Sequence, residues 1–236
     1  MTMIAIVGGD GAGKTSTVRR LHAELARDLR VTLIDKWDVL DSTRYPEYRF
    51  LRPELPTLRG CISDMQEVTR TLFVFWTLHG TLTSKAMEGA DVVLLDGYWP
   101  KHAASEILYS GRRDLVGCIS ALMPRPDVTL FLDVDPEVAY RRRAGDATTP
   151  LVPYECGRDP SRSEASFVRH QAATRAILRD WCSVFGWTRI DANVGPAAVM
   201  DAVRAEARGR LARSRTPESG DGDGDGDGAD PGSAAR

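Results

Sequence analysis

Five short runs rich in apolar and β-branched residues punctuate the chain: MIAIV (3–7), VTLI (31–34), VVLL (92–95), VTLFL (128–132) and WTRI (187–190). Such runs, with little polar alternation, predict strands buried on both faces, as in parallel sheets. Between them the apolar period changes. Val18, Leu21, Leu25 and Leu29 recur at helical spacing and predict a helix over 14–30. Further helical stretches are predicted over 61–87, 102–122, briefly after Pro136, over 164–185 and over 196–211, with Pro196 in a first turn. Pro46, Pro53 and Pro56 predict irregular chain over 38–59. Strands alternating with helices predict an α/β fold, a five-stranded parallel sheet with helices on both faces in three layers.

The link between the first strand and the first helix carries the clearest chemistry. Gly8-Gly9-Asp10-Gly11-Ala12-Gly13-Lys14-Thr15 fits the phosphate-loop pattern G-x-x-x-x-G-K-[ST] and is followed by Ser16. Glycines let successive backbone N–H groups turn toward phosphate oxygens, and the helix that follows presents its positive end to the same anion. Lys14 is placed to reach β- and γ-phosphates, and Thr15 to ligate Mg²⁺. ATP with Mg²⁺ is the expected cofactor pair. Asp96 closes the strand VVLL, where a carboxylate can hold Mg²⁺ beside the phosphate loop, so Thr15 and Asp96 are the candidate metal ligands. Asp133 and Asp135 read more plainly as turn formers before Pro136.

A polar segment over about 141–163 holds Arg141, Arg142, Arg143, Arg158 and Arg162 between two helices. In a phosphoryl-transfer site this is where a lid belongs, with an arginine among 141–143 covering the transferring group. Composition narrows the partners. Hydrophobic content of 42% and charged content of 27% are those of an ordinary globular protein. The net charge is −2, but residues 214–236 carry two arginines against six acids, leaving the body near +2. A nearly neutral body does not suit duplex nucleic acid. No run is long enough to span a membrane, and the early Asp10 interrupts any leader-like apolar segment, so the expected location is cytoplasmic. Four scattered cysteines predict neither a zinc site nor a disulfide framework. The expected organisation is one phosphate-loop domain over 1–212 and a disordered Gly/Asp-rich tail over 213–236. The tail's DGDGDG lacks the closing Glu of a calcium loop.

The loop GGDGAGKTS, the strand end VVLLDGY, the strand FLDVDPEVAYRRR and the late RIDA before a helix together resemble the thymidylate kinase family, over roughly residues 1–210. The resemblance implies transfer of the ATP γ-phosphoryl to a nucleoside monophosphate, dTMP or a modified relative. It implies that Asp10 lies near the acceptor's sugar, and that the lid supplies the arginine which Gly11 and Ala12 do not. It implies that an aromatic of the long helix, Phe73 or Phe75, stacks on the acceptor base. Tyr98 and Lys101, beyond the third strand, join Asp10 and Phe73 as acceptor-side candidates. The resemblance also implies a homodimer packed through helices around 72–82, a stretch that could equally fill the core.

The chain departs from the family on the acceptor side. The strand-end Asp96 is followed by Gly97 and Tyr98 where the family has an arginine before the aromatic. No arginine occurs between Arg70 and Arg112, although the family grips the acceptor phosphate from the long helix, and DKWDVLD replaces the usual Arg-Glu-Pro. Losing a charge-assisted grip costs several kcal/mol unless other cations replace it. Arg44, Arg49, Arg52, Arg70 and Lys101 are the candidates. Two alternatives therefore stand beside a monophosphate kinase: a kinase of a nucleoside or other small-molecule hydroxyl, with Asp10 or Asp96 as base, and a nucleotide-binding protein without turnover.

Overall fold

The computed structural model describes residues 1–82, 87–145 and 151–215. Its centre is one five-stranded sheet built from β1 (Thr2–Val7), β2 (Val31–Ile34), β3 (Val92–Asp96), β4 (Val128–Asp133) and β5 (Thr188–Asp191). The order is β2-β3-β1-β4-β5 and every neighbouring pair is parallel. Ile4 of β1 lies opposite Leu94 of β3 and Val128 of β4, so the first strand is the middle one. The chain moves to one side of β1 for β2 and β3 and to the other for β4 and β5. That reversal leaves a crevice at the carboxyl end of β1, where ligands of doubly wound sheets bind.

The all-apolar strands are explained by two cores. Met3, Ala5 and Val7 point into one, and Ile4 and Ile6 into the other. Eight α-helices cover the sheet among the described residues. They are α1 (Lys14–Leu25), α2 (Leu55–Asp64), α3 (Glu67–Leu82), α4 (Trp99–Ser110), α5 (Arg113–Ser120), α6 (Pro136–Ala144), α7 (Glu164–Phe185) and α8 (Pro196–Arg215). The first core takes side chains from α2, α3, α4 and α7, and the second takes them from α1, α6 and α8.

Two predicted helices are each divided. The described part of 61–87 is two helices, because Met65 is extended (φ −58°, ψ 138°) and Glu67 has a φ of 38°; residues 83–86 lie outside the described residues. The helix also starts earlier than expected: Pro56 sits in the first turn of α2, where a missing N–H costs nothing. The stretch 102–122 breaks at Gly111, whose φ of 66° closes α4 with its N–H on the Ile107 carbonyl. Within 38–59 the chain makes short 3₁₀ turns at Lys36–Leu40 and Pro46–Tyr48. The last helix runs to Arg215, a few residues past the expected boundary at 212, and the tail from 216 lies outside the described residues. On α3, Val74, Phe75, Leu78 and Leu82 fill the core while Leu72 and Trp76 face outward.

Arg70 of α3 and Glu106 of α4 pair at 2.9 Å with side-chain exposures of 5% and 1%. Thr71 donates to the other Glu106 oxygen at 3.3 Å, and the guanidinium lies 4.2 Å from the Tyr109 ring centre. Removing one partner would strand a buried charge, at a cost of about 3–5 kcal/mol. Glu106→Ala is expected to lose that much stability in a urea melt, while an exposed pair such as Arg112–Asp114 is expected to cost under about 1 kcal/mol when broken.

Candidate active site

The phosphate loop runs from β1 into α1, and its glycines do distinct work. Gly11 has a φ of 80°, and a Cβ there would stand 2.5 Å from the Ala139 carbonyl of α6. Gly13 has a φ of 87° as the residue before the helix. Neither conformation suits a side chain. Lys14 folds back to donate to the Gly9 carbonyl at 2.8 Å. Its stem passes Gly97, where a Cβ would stand 3.2 Å from Lys14 Cε and where φ is 67°. The glycine in Asp96-Gly97-Tyr98 therefore gives the lysine room. Burial lowers the Lys14 pKa.

Thr15 donates to Asp96 Oδ2 at 2.6 Å, which brings the two expected metal ligands together. A hydroxyl and a carboxylate at the mouth of a phosphate loop are hard oxygen donors, a set that fits Mg²⁺ completed by water and phosphate oxygens.

Asp10 is the most heavily restrained residue of the loop. Its carboxylate meets Lys101 Nζ of α4 at 3.1 Å and accepts from Gln171 Nε2 of α7 at 3.3 Å. Its backbone N–H donates to Gln171 Oε1 at 2.9 Å. Burial would raise the Asp10 pKa, but Lys101 and Lys14 outweigh it and hold the carboxyl well below the usual carboxylate range. Lys101 is raised in turn, since Asp10 overcomes the effect of burial. The other amide hydrogen of Gln171 is donated to the Glu155 carbonyl at 3.0 Å, so one side chain spans the phosphate loop and the segment expected to be a lid.

In that segment the three consecutive arginines part company. Arg143 forks onto the Glu155 carboxylate at 3.1 and 3.2 Å and lines the central cavity. Burial and the nearby Asp10 raise the Glu155 pKa despite this partner. Arg142 turns away to the Val194 carbonyl at 3.2 Å, and Arg141 is exposed and does not line the cavity. Arg158 donates to the Met65 carbonyl at the break between α2 and α3. Residues 146–150 of the expected lid lie outside the described residues.

The cavity holds about 650 Å³. Beyond the phosphate loop it is walled by side chains that the sequence reading did not single out. Asp35 caps the 3₁₀ turn by accepting from the Trp37 N–H at 2.8 Å, and this turn carries Lys36 and Trp37 into the cavity. Lys36 lies 4.5 Å from the Trp37 ring centre and 3.3 Å from His102 Nδ1. Burial, then the charge of Lys101, pushes its pKa down to about 7. Burial and Lys36 push His102 well below its usual value, so the imidazole is neutral. Arg59 of α2 stands over the other side of the Trp37 environment at 5.6 Å, and its Nε is buried without a hydrogen-bond partner among the described residues. Tyr154 completes the wall.

Several expected acceptor groups are elsewhere. Phe73 packs against the first core and against Trp76 at 6.0 Å, which also meets Tyr48 and Phe50, and it does not line the cavity. Phe75 is in the core. Tyr98 is 2% exposed and spends its hydroxyl on the Pro124 carbonyl at 2.7 Å. Arg70 is committed to Glu106, Arg44 to Asp38 and the Leu33 carbonyl, and Arg49 and Arg52 are at the surface. Of the cations considered as replacements for the missing acceptor-side arginines, Lys101 alone lines the cavity. Asp133, at the carboxyl end of β4, is buried and surrounded by Arg175, Arg179 and Arg189 rather than forming a turn.

No family model matches the chain. A thymidylate kinase of Xanthomonas oryzae pv. oryzae is 35% identical over 148 residues, which are 61% of this chain and 62% of that protein. The match thus spans less than two thirds of that relative's length. A thymidylate kinase of Xylella fastidiosa is 32% identical over 176 residues, 75% of this chain and 81% of that protein. Among solved structures, a deoxyadenosine kinase from M. mycoides with bound dATP has a TM-score of 0.60, covering 88% of this chain and 100% of that one at 12% identity. The likeness to that structure is one of fold. No described helix is long and apolar enough to cross a membrane.

The placement of Tyr98 makes a sharp expectation. Tyr98→Phe should lose about 1 kcal/mol of stability, the worth of one hydrogen bond, and leave steady-state turnover within about twofold of the parent. A large rise in KM would show instead that the hydroxyl meets a substrate.

Proposed function

The chain belongs to the thymidylate kinase family, and we propose that it is an ATP-dependent kinase that phosphorylates a nucleoside monophosphate, dTMP or a modified relative, to a diphosphate. The observation that carries this reading is the acceptor wall. Lys36, Arg59 and Lys101 line one cavity with the phosphate loop, and the Arg59 Nε has no partner among the described residues. Lys101 is already paired with Asp10, but Lys36 and Arg59 form no ion pair among the described residues, and an acceptor that bears a phosphate would supply their anion. These residues answer the missing arginines of the long helix.

The proposed transfer is in line. Backbone N–H groups of residues 13–15 and the Lys14 ammonium hold the β- and γ-phosphates. Mg²⁺, kept by Thr15 and Asp96, supplies further neutralisation of the phosphates. Arg143 is the lid arginine best placed to meet charge at the γ-phosphoryl, moving from Glu155 to do so. Asp10 orients the acceptor's sugar, and Trp37 and Tyr154 are the flat surfaces available to its base. The low pKa of Asp10 argues against a nucleoside hydroxyl as acceptor, since a carboxylate held ionised by Lys101 is a poor general base.

The test is ADP release from Mg·ATP with nucleoside monophosphates, their parent nucleosides and no acceptor. Turnover with a monophosphate, cut roughly 10²–10³-fold or more in Lys14→Ala, is expected. Turnover with nucleosides alone, or none above the blank, would overturn the reading.

The pH dependence adds a second check. Lys36 faces Lys101, Asp35 and His102 and has its pKa lowered to about 7, so it loses its charge as pH rises through neutrality. The acceptor phosphate, with a second pKa near about 6, is already dianionic there. The KM for the monophosphate should therefore climb several-fold between pH 7 and 9. Lys36→Met should have a high KM that no longer varies over that range.

A further inference from the structure

A second cavity, of about 500 Å³, lies under α4, α5 and α7 at the amino-terminal ends of β4 and β5. It shares no lining residue with the candidate active site, whose phosphate loop is at the carboxyl end of the sheet. Its volume is that of a small-molecule site. Three of the chain's five tryptophans line it, Trp99, Trp181 and Trp187, together with Phe185. The Trp99 and Trp181 rings are 5.9 Å apart, and Phe185 stacks on Trp187 at 5.6 Å.

A dry packing gap is apolar and strands no polar atoms. This one strands two donors. Trp99 Nε1 and Ser120 Oγ are buried with no hydrogen-bond partner among the described residues. A buried donor left unpaired is costly, and an acceptor atom in the cavity would satisfy it. Charge at the rim adds a third preference. Arg113 and Arg125 are exposed there and form no ion pair among the described residues. The one acid of the lining, Asp127, is already taken by the Met3 N–H at 2.8 Å and by Arg210 at 3.3 Å.

We propose that this cavity is a ligand site, separate from the catalytic one, for a flat aromatic anion. Its ring lies among Trp99, Trp181 and Trp187, its acceptor atom meets Trp99 Nε1 and Ser120 Oγ, and its charge rests at Arg113 and Arg125.

The probe is 8-anilinonaphthalene-1-sulfonate, titrated into the full chain with and without Mg·ATP and followed by its own fluorescence and by tryptophan quenching. Gly117 of α5 provides the blocking variant. It lines the cavity, and a Cβ on it meets nothing within 4 Å, so Gly117→Phe adds a ring at the cavity wall without a clash at its Cβ. The expected result is saturable one-to-one binding that Mg·ATP does not displace. Gly117→Phe should abolish it, and the double variant Arg113→Glu/Arg125→Glu should weaken it at least fivefold. Binding unchanged in Gly117→Phe, displacement by Mg·ATP, or a non-saturating signal would overturn the site. Equal affinity for uncharged N-phenyl-1-naphthylamine would overturn the anionic part.

Discussion

The arrangement of the cavity depends on how a buried Asp10 is kept charged. A carboxylate withdrawn from water costs several kcal/mol, and only a close cation with further hydrogen bonds can offset that. Lys101 brings the cation from α4, and Gln171 brings the hydrogen bonds from α7. Three elements distant in sequence are thereby fixed on one side chain of the phosphate loop. Lys14 and Lys101 are kept apart by the same acid, which screens two ammonium groups that would otherwise repel. The loop's shape is thus set from outside as well as by its own glycines.

On that frame, the proposed acceptor side differs from the family's. The family's grip comes from an arginine of the long helix. Here Arg70 of that helix is turned inward and spent on Glu106, a structural pair between α3 and α4. Positive charge reaches the cavity from the 3₁₀ turn after β2 and from α2 instead. A lysine that titrates near neutrality replaces a guanidinium that never loses its proton, so the proposed acceptor site gains a sensitivity to pH that an arginine would not give.

The sheet and the phosphate loop were legible because they are local. Five apolar runs specify five buried strands, and the loop's spacing is a direct consequence of how backbone wraps phosphate. Thr15 and Asp96 could also be paired in advance, since the ends of β1 and β3 must be neighbours if the motif is to work. The acceptor wall was not legible in the same way. Lys36, Trp37 and Arg59 fall in a proline-rich stretch with no periodicity, and what aims them is the Asp35 cap and the early start of α2 at a proline. Asp35 two residues before Trp37, and Pro56 at a possible first turn, were the available signals. Phe73 came from the family likeness, which puts an aromatic of the long helix on the acceptor base; here it packs against Trp76 and the first core instead. Nothing in the residues flanking Glu67 demands its left-handed backbone, so the break before α3 had no local signal. Gly111 was a local signal for the break after α4, although the apolar pattern over 102–122 predicts one helix.

The Met65 carbonyl freed by that break does not stay idle, for Arg158 of the lid segment donates to it. The segment proposed as the lid is thereby moored to the junction of α2 and α3, and α2 carries Arg59 of the proposed acceptor wall. A mooring of this kind makes the two halves of the crevice one moving part: lifting the segment gives up a hydrogen bond in the opposite wall. In evolutionary terms, a lineage that reshapes α2 to admit a new acceptor must retune lid closure in the same step, which couples a change of substrate to a change of turnover.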